Sequence, residues 1–431
     1  MRYRRPRGVN DILPAEIGRW QQAESAFRSL CDAYRYQEIR TPLFEQTELF
    51  QRAVGAETDI VSKEMYTFED RGGRSLTLRA EGTAPVVRAF IEDNLQGQDR
   101  ERLVKLFYFA PIFRYERPQA GRYRQHHQCG IEALGSAGPG VDAEVISLAF
   151  TFYRELGITP VTLLLNSVGC PACRPHHLER LRAHVAPHLA ELCEDCQRRY
   201  AENPLRLLDC KQETCRALTA DAPSSVDMLC DECGDHFTQV QATLQALEIP
   251  YTLQPRLVRG LDYYTKTAFE FTAPGLGAQD SIGGGGRYDG LVQQCGGPAT
   301  PAVGIGMGLE RILIAQEAAQ AASQASGGTG VSPVQRTGLF VVALGDAAWL
   351  PAQRLCAELR AAGHPAEVDY RRRSMRAQLS FADKESFRWA AILGEDEIAA
   401  GTVTVRDLVT GEQQTLPASE LLAFAAAEGD Q

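Results

Sequence analysis

Two apolar stretches joined by a basic loop constrain this chain more than any other feature of its sequence. The first stretch runs from Leu103 to Ile112 and the second from Cys129 to Leu134, and both are typical of strands. The run from Phe113 to Glu132 follows the first stretch and extends into the second, and it reads FRYERPQAGRYRQHHQCGIE. Because Pro118 and Gly121 favour a loop, we expect two antiparallel strands with a long connection.

The side chains of this hairpin indicate a binding site. Arg114, at the end of the first strand, presents a rigid fork of donors that suits a phosphate. Gln128 and Glu132 are four residues apart on the returning strand, so both face one side of the sheet. This arrangement predicts a nucleotide site beside an amine or cationic ligand. The alternative is a surface hairpin with incidental arginines.

Composition sets the class of protein. At 431 residues, 44% hydrophobic and 23% charged, the chain is expected to form two or more soluble globular domains. Its net charge of −10 argues against a uniformly basic surface for binding nucleic acid. It does not exclude RNA binding, because that depends on the electrostatic potential over a local patch. The first residues carry arginines without an apolar core, and no apolar run is long enough for a membrane span. Twelve cysteines therefore favour reduced thiols or metal, and a cytoplasmic location.

A second candidate binding element follows the strand predicted from Leu76 to Glu81. Pro85 and the apolar residues after it predict a helix, with Thr83 as its N-cap. Glu81 then lies beside exposed amide donors. Its carboxylate either supports the helix start or binds an ammonium group of a ligand.

The region from Gly169 to Phe237 is rich in cysteine. Three of its cysteine pairs have the CxxC spacing, which lets two thiolates bind one ion. We therefore consider zinc in one or two four-cysteine sites, against the alternative of a helical insertion with buried or vestigial cysteines. The eight cysteines are Cys170, Cys173, Cys193, Cys196, Cys210, Cys215, Cys230 and Cys233.

Three further runs lie between this region and a linker. A strand predicted from Leu253 to Val258 leads into the run Arg259–Tyr264, which reads RGLDYY. Consecutive glycines in the run Ser281–Tyr288 permit close approach of the backbone to a ligand. The run Gly304–Arg311 is also glycine-rich, but it lacks the crossover pattern of a dinucleotide-binding fingerprint.

The last part of the chain, beyond a small, polar, glycine-rich linker, predicts a compact α/β unit with a mostly parallel or mixed sheet. Its most basic spot is Arg371–Arg373 with Arg376, which either contacts RNA phosphates or is a solvated charge run. The predicted strands are Leu339–Leu344, Ala366–Asp369, Ala390–Leu393 and Val403–Asp407, and the predicted helices are Leu350–Ala362, Ser374–Lys384 and Ser419–Ala427.

Four of these runs carry a family resemblance that extends over nearly the whole chain. The hairpin resembles motif 2 of the class II aminoacyl-tRNA synthetases, in the form found in histidyl-tRNA synthetases. The run TPLFEQTELF, with Pro42, is similar to motif 1, and Gly304–Arg311 resembles motif 3. The RGLDYY run is nearly diagnostic of histidyl-tRNA synthetases.

The resemblance implies an α+β catalytic domain with an antiparallel sheet, a cysteine-rich, mainly helical insertion and a C-terminal α/β anticodon-binding domain. The expected boundaries are 1–166 and 246–318 for the two parts of the catalytic domain, 167–245 for the insertion, 319–336 for the linker and 337–431 for the anticodon-binding domain.

The family's roles can be carried to matching positions. Arg114 and Arg259 would stabilise charge on the α-phosphate of ATP, and Arg311 would hold its γ-phosphate. The amino end of histidine would be held by Glu81, Gly82, Thr83 and Gln128. The ring pocket would be lined by Glu132, Tyr263 and Tyr264, since a carboxylate and a phenol can satisfy both nitrogens of an imidazole.

The implied activity is ATP-dependent charging of tRNA(His) with L-histidine, with ATP used as its Mg²⁺ complex. A homodimer is expected from the motif 1 resemblance alone, and no membrane partner is expected. Two alternatives are a synthetase-like regulator of the ATP phosphoribosyltransferase of histidine biosynthesis and a class II synthetase for another amino acid. The regulator would lack the C-terminal domain and an intact RGLDYY run, and enzymes for proline or threonine would not need the Glu132–Tyr264 pair.

Overall fold

The computed structural model describes residues 3–55, 58–99, 102–277, 280–324, 338–385 and 387–429. Its strands are β1 (Gln37–Glu38), β2 (Phe44–Gln46), β3 (Thr67–Glu69), β4 (Ser75–Leu78), β5 (Val104–Phe113), β6 (Gln125–Leu134), β7 (Thr162–Ser167), β8 (Thr252–Leu253), β9 (Thr265–Thr272), β10 (Ser281–Arg287), β11 (Ala302–Gly308), β12 (Leu339–Ala343), β13 (Ala366–Val368), β14 (Trp389–Leu393), β15 (Thr402–Asp407) and β16 (Gln413–Pro417).

Helices cover the sheets and build the insertion. The α-helices are α1 (Pro14–Ala33), α2 (Thr47–Val54), α3 (Thr83–Glu92), α4 (Pro139–Glu155), α5 (Arg174–Val185), α6 (Glu194–Glu202), α7 (Glu213–Leu218), α8 (Asp231–Ala246), α9 (Leu291–Gln294), α10 (Leu309–Gln324), α11 (Trp349–Ala361), α12 (Met375–Lys384), α13 (Glu395–Ala400) and α14 (Leu421–Gly429).

An eight-stranded sheet in the order β1-β5-β6-β11-β10-β9-β7-β8 forms the centre of the chain. Its interior pairs are antiparallel, and only the edge pairs β1–β5 and β7–β8 are parallel. The sequence prediction of an antiparallel catalytic sheet is confirmed. Helices α1, α4 and α10 pack on one face, so the opposite face is left for a ligand.

The hairpin of β5 and β6 positions the site. The two strands pair antiparallel from Val104↔Leu134 to Phe113↔Gln125, as the sequence predicted. On β6, Cys129 and Ile131 belong to the core beneath the helices, together with Phe27 and Phe152. Because successive side chains alternate between faces, Gln128 and Glu132 point to the opposite side.

The cysteine-rich region between β7 and β8 is mainly helical, as predicted. It contains α5 to α8 and has its own small apolar cluster around Leu181, Val185 and Leu207. Helix α8 instead packs on α4 and adds Phe237, Val240 and Leu244 to the main core, which joins the insertion to the catalytic domain.

The C-terminal unit contains a mixed five-stranded sheet in the order β13-β12-β14-β15-β16. The first three strands are parallel and the last two pairs are antiparallel, so the predicted α/β type is confirmed. The sequence prediction missed β16 and α13, which are short elements of six residues or fewer.

Three local predictions were wrong or incomplete. The strand predicted from Leu253 to Val258 ends at Leu253, because Pro255 cannot donate a ladder hydrogen bond and a turn begins there. Thr83 is the first residue of α3, and its N-cap is Gly82. Helix α10 extends to Gln324, so the first residues of the predicted linker are helical, and most of the rest lies outside the described residues.

Within the part of the chain that the structure describes, no helix combines the length and apolar character needed to cross a bilayer.

A buried ion pair ties the sheet to the helices behind it. Arg287, at the end of β10, is fully buried and donates to Asp142 in α4. The same guanidinium donates to the carbonyl oxygens of Ser136, at 2.8 Å, and Gly138, at 3.1 Å. His236 of α8 lies 3.3 Å from the Asp142 carboxylate. One arginine therefore satisfies Asp142 of α4 and two carbonyl oxygens of the loop that precedes this helix.

We expect Arg287→Ala to lower the free energy of unfolding by about 3–5 kcal/mol, because it leaves a buried carboxylate without its cation. Urea denaturation of the full chain measures this. The control is Arg354→Ala, whose partner Glu358 is exposed at the surface, and which should change stability by less than about 0.5 kcal/mol. Equal losses for the two variants would contradict this account of the pair.

Candidate active site

Glu132 is the centre of the polar face of the sheet. Its side chain is fully buried, and its two carboxylate oxygens have different partners. One oxygen accepts hydrogen bonds from the Thr83 hydroxyl at 2.7 Å and from the Tyr108 hydroxyl at 3.4 Å. The other accepts one from the Tyr288 hydroxyl. Three hydroxyl groups from three separate elements therefore fix the direction of this carboxylate.

Glycine on the neighbouring strand makes room for this carboxylate. Gly304 of β11 pairs with Glu132 of β6. A Cβ atom at Gly304 would overlap a Glu132 carboxylate oxygen and lie 2.6 Å from the Ile131 carbonyl oxygen. The glycine is therefore required by the close approach of a side chain of the protein itself.

Burial changes the acidity of both carboxyl groups in the site. It raises the pKa of Glu132 to about 8, although the hydrogen bonds from Tyr288 and Thr83 act in the opposite direction. Burial also raises the pKa of Glu81 above its ordinary value, against the hydrogen bonds from two backbone amides. Glu132 is therefore easier to protonate in the folded chain than it would be in water.

Glu81 supports the start of α3. Its carboxylate accepts hydrogen bonds from the backbone amides of Thr83, at 2.8 Å, and Ala84, at 2.6 Å. This is the helix-supporting arrangement that the sequence left as one of two alternatives. A carboxylate has lone pairs for further donors, so the same group can still bind an ammonium ion.

Three tyrosines form an aromatic wall beside Glu132. The rings of Tyr263 and Tyr264 lie 4.7 Å apart, and those of Tyr263 and Tyr288 lie 5.6 Å apart. All three rings are buried. The wall gives the carboxyl group a low-dielectric surrounding, which suits recognition of a flat, partly polar ring.

Arg114 and Arg259 bring positive charge to the same side of the sheet. Arg114 leaves β5 and donates to the Ala80 carbonyl oxygen at 2.7 Å, just before Glu81. Burial lowers the pKa of Arg114, and the charge of Arg259 contributes to the same shift. The buried positive charge of Arg114 therefore favours an anion beside it, whereas Glu270 raises the pKa of Arg259 and partly balances its charge.

Arg259 lies against β10, the strand that contains four consecutive glycines. It forms an ion pair with Glu270 of β9, and a Cβ atom at Gly284 of β10 would overlap its guanidinium group. We predicted that the glycine run brings the backbone close to a ligand. In the structure, Gly284 allows the Arg259 side chain to lie across the strand, and the close approach of a ligand stays a prediction.

Arg311 connects α10 to the loop of the hairpin. It donates to the carbonyl oxygens of Ser281 and, at 3.5 Å, of Gly121. Burial lowers its pKa, and the nearby charge of Arg122 contributes. Arg122 itself pairs with Glu116 of the same loop. The basic loop therefore packs over the sheet instead of extending into solvent.

The structure brings the predicted residues to one face of the central sheet, where Gln128 lies over Gly306. Glu132 has its direct phenol contacts with Tyr288 and Tyr108, and the expected role of Tyr264 beside it in binding an imidazole stays a prediction. Sequence reasoning missed both of these tyrosines. Tyr108 pairs with Gly130 on β6, so the parity that placed Glu132 could have placed Tyr108 too.

His126 was also missed. It has the same parity on β6 as Gln128 and Glu132. Burial lowers its pKa to about 3, with the charge of Arg114 as the next cause. It is therefore a neutral group beside the arginines, able to donate or accept a hydrogen bond without adding charge.

The arginine cluster of the C-terminal unit is largely engaged with the protein. Arg371 donates to the Gly135 carbonyl oxygen at 3.1 Å, and Arg373 donates to the Asp369 carboxylate at 3.0 Å. Arg372 donates to the Asp346 carboxylate at 3.0 Å. These contacts favour the reading of the cluster as a structural and surface charge run.

Comparisons with known proteins agree with this geometry. A family model described as "Histidyl-tRNA synthetase" matches residues 8–312, and one described as "Anticodon binding domain" matches residues 339–428. A relative from Desulfitobacterium hafniense, named histidine–tRNA ligase, is 51% identical over 97% of this chain and 96% of its own length. A relative of the same name from Moorella thermoacetica is 53% identical over 97% of each chain.

A solved structure has the same fold. The apo crystal structure of the S. aureus histidyl-tRNA synthetase is 37% identical, with a TM-score of 0.61, and the match covers 98% of this chain and 100% of that one. The family model matches more than half of the chain, and the matched residues include those of the polar face around Glu132. The chain therefore belongs to the histidyl-tRNA synthetase family.

Proposed function

We propose that this chain is a histidine–tRNA ligase. It activates L-histidine with ATP to histidyl-adenylate and pyrophosphate, and then esterifies the 3′ end of tRNA(His). The observation that carries this proposal is the buried Glu132, held by three hydroxyl groups beside a pair of arginines. A buried carboxyl group of this kind is expensive unless a ligand compensates it.

Histidine occupies the space between Glu81 and Glu132. The α-ammonium group binds at Glu81, Thr83 and Gln128, over the backbone of Gly82. The imidazole packs against the rings of Tyr263 and Tyr264, and one of its N–H groups donates to Glu132. Its other nitrogen accepts a hydrogen bond from a phenol, so the pocket binds the neutral ring.

ATP enters as its Mg²⁺ complex and binds against the arginines. Arg114 and Arg259 hold the α-phosphate, and Arg311 holds the γ-phosphate. The carboxylate of histidine is already an anion, so its attack on the α-phosphate requires no protein base. Catalysis is then positioning of the two substrates together with stabilisation of the charge that develops on the phosphate oxygens.

In the second step, the terminal ribose hydroxyl of tRNA(His) attacks the adenylate and AMP leaves. The C-terminal unit contacts the anticodon end of this RNA. We propose that the protein acts in the cytoplasm, since all twelve of its cysteines are free. We also propose structural zinc in the Cys170–Cys233 region, whose cysteines form two groups of four.

The protein is further proposed to be a homodimer. The small sheet β2-β4-β3 exposes Phe44 and Phe68, whose rings lie 6.3 Å apart, and Leu43 is exposed next to them. Leu43 and Phe44 belong to the run that resembles motif 1, and Phe68 extends the same apolar patch. We assign this patch to contact with a second copy of the chain.

The two alternatives are less well supported. A synthetase-like regulator of the phosphoribosyltransferase would need neither an arginine lying across β10 nor the C-terminal unit. This chain has both, since Arg259 lies over Gly284 and the C-terminal unit matches an anticodon-binding domain. An enzyme for proline or threonine would leave the buried Glu132 without an N–H donor from the side chain of its substrate.

The test is ATP–pyrophosphate exchange with each amino acid supplied singly, without tRNA. We expect exchange with histidine alone. Exchange with another amino acid would reject the specificity, and no exchange from folded protein would favour the regulator.

Gly304→Ala tests the packing of Glu132. The new methyl group displaces the carboxylate, so we expect the KM for histidine in the exchange assay to rise about tenfold or more, with a smaller change in the KM for ATP. Gly18→Ala is the control, because it adds a methyl group with no other atom within 4 Å. An unchanged histidine KM in a folded Gly304→Ala protein would reject this packing role.

Arg259→Lys tests stabilisation of the α-phosphate. Lysine keeps the charge but loses the fork geometry, so we expect the kcat of exchange to fall about 10²-fold or more while the histidine KM changes little. Arg388→Lys, which alters a comparable ion pair with Asp407 in the C-terminal unit, is the matched control. Equal effects of the two substitutions would count against the assigned role.

A further inference from the structure

The eight cysteines of the insertion form two separate groups of four. Within each group, all four sulfur atoms lie within 4.8 Å of one another. The outer cluster is Cys170, Cys173, Cys230 and Cys233, and the inner cluster is Cys193, Cys196, Cys210 and Cys215. The inner cluster lies in the chain segment that the outer cluster closes.

The spacing of the sulfur atoms fits a single tetrahedral ion. In the outer cluster, the Cys170 sulfur lies 3.8 Å from that of Cys173 and 3.9 Å from that of Cys230. In the inner cluster, the sulfurs of Cys193 and Cys210 are 3.9 Å apart. Zinc–sulfur bonds of about 2.3 Å in a tetrahedron place the sulfurs about 3.8 Å apart.

Other cysteine chemistry does not fit these distances. A disulfide needs two sulfurs about 2.05 Å apart, and all eight thiols are free. In an iron–sulfur cluster the four cysteines are shared among two or four irons, so the full set of thiolates spreads farther apart than around one ion. A mononuclear tetrathiolate site is therefore the arrangement that each cluster can complete.

Backbone amides already point at the sulfur atoms. The amide of Cys170 donates to the Cys173 sulfur at 3.2 Å, and the amide of Cys193 donates to the Cys215 sulfur at 3.3 Å. Such hydrogen bonds stabilise thiolates and orient metal ligands.

The insertion has little else to hold it together. Its apolar cluster is small, with eight buried residues. Three of these are cysteines of the inner cluster, and a fourth is Val185. A unit of this size usually needs a disulfide or a metal in addition to its core. The outer cluster joins the first and last helices of the insertion across 60 residues of chain.

The outer cluster is adjacent to the proposed histidine pocket. Arg174, the residue after Cys173 and the first of α5, donates to the backbone carbonyl oxygen of Tyr264. It also donates to the carbonyl oxygens of Val168 and Gly169, both at 3.2 Å. The position of Cys173 therefore determines where Arg174 holds the RGLDYY segment.

The helix that carries Cys196 in the inner cluster reaches the same segment. Asn203, the C-cap residue that follows α6, donates to the Asp262 carboxylate at 2.6 Å. Arg199 of α6 donates to the Asp59 carboxylate at 3.1 Å.

We propose that the insertion binds two zinc ions, one in each cluster, and that the outer ion positions Tyr264 in the histidine pocket through Arg174. The first part concerns metal alone. The second part rests on the proposed function.

The first test is the metal content of the purified full chain, measured by elemental mass spectrometry. We expect two zinc ions per chain. The double variants Cys173→Ser/Cys233→Ser and Cys196→Ser/Cys215→Ser should each retain one, and Cys356→Ala, outside both clusters, should retain two. Iron with sulfide, or fewer than two zinc ions in the unaltered protein, overturns the assignment.

The second test separates positioning from metal binding. Arg174→Gln keeps every cysteine, so it should retain two zinc ions. Loss of the hydrogen bond to Tyr264 should raise the KM for histidine in the exchange assay about fivefold, with the kcat less affected. Arg180→Gln, an exposed arginine on the same helix, is the control and should leave this KM unchanged. A histidine KM within about twofold of the unaltered protein overturns the link through Arg174.

The two proposals can fail separately. Two zinc ions in a protein that activates no amino acid would retain the metal sites and reject the proposed function. Histidine exchange by a protein without zinc would do the reverse.

Discussion

The burial of one carboxyl group determines how this active face is built. Glu132 lies in the middle of an eight-stranded sheet, where a charge is costly, and three hydroxyl groups only partly offset that cost. Its pKa in the folded chain lies above that in the unfolded chain. The stability it contributes is therefore greatest below its unfolded-state pKa and is lost as the pH rises toward about 8. A ligand that donates an N–H to Glu132 removes this penalty.

The glycines of β10 and β11 follow from the same constraint. Gly304 leaves room for the Glu132 carboxylate, and Gly284 leaves room for the Arg259 guanidinium. Both strands thus provide a flat surface across which charged side chains of the chain itself can lie. The residues proposed to bind histidine and the phosphates are in this way positioned by the same pair of strands.

Local patterns predicted much of this arrangement. The hairpin, the parity of Gln128 and Glu132 and the α/β character of the C-terminal unit all depend on short-range periodicity, and the structure has each of them. Tyr288 was missed because its contact with Glu132 joins residues 156 positions apart, which periodicity does not report. The grouping of the cysteines was likewise open, because spacing identifies pairs but not which pairs meet.

The most direct test of the account is the number of protons released when histidine binds. Calorimetric titrations at pH 7 in two buffers of different ionisation enthalpy give this number. If Glu132 is protonated in the free site and ionised beside a neutral imidazole, about one proton is released per histidine, and Glu132→Gln abolishes the release. Histidine binding with no proton release by the unaltered protein would contradict the central role of Glu132.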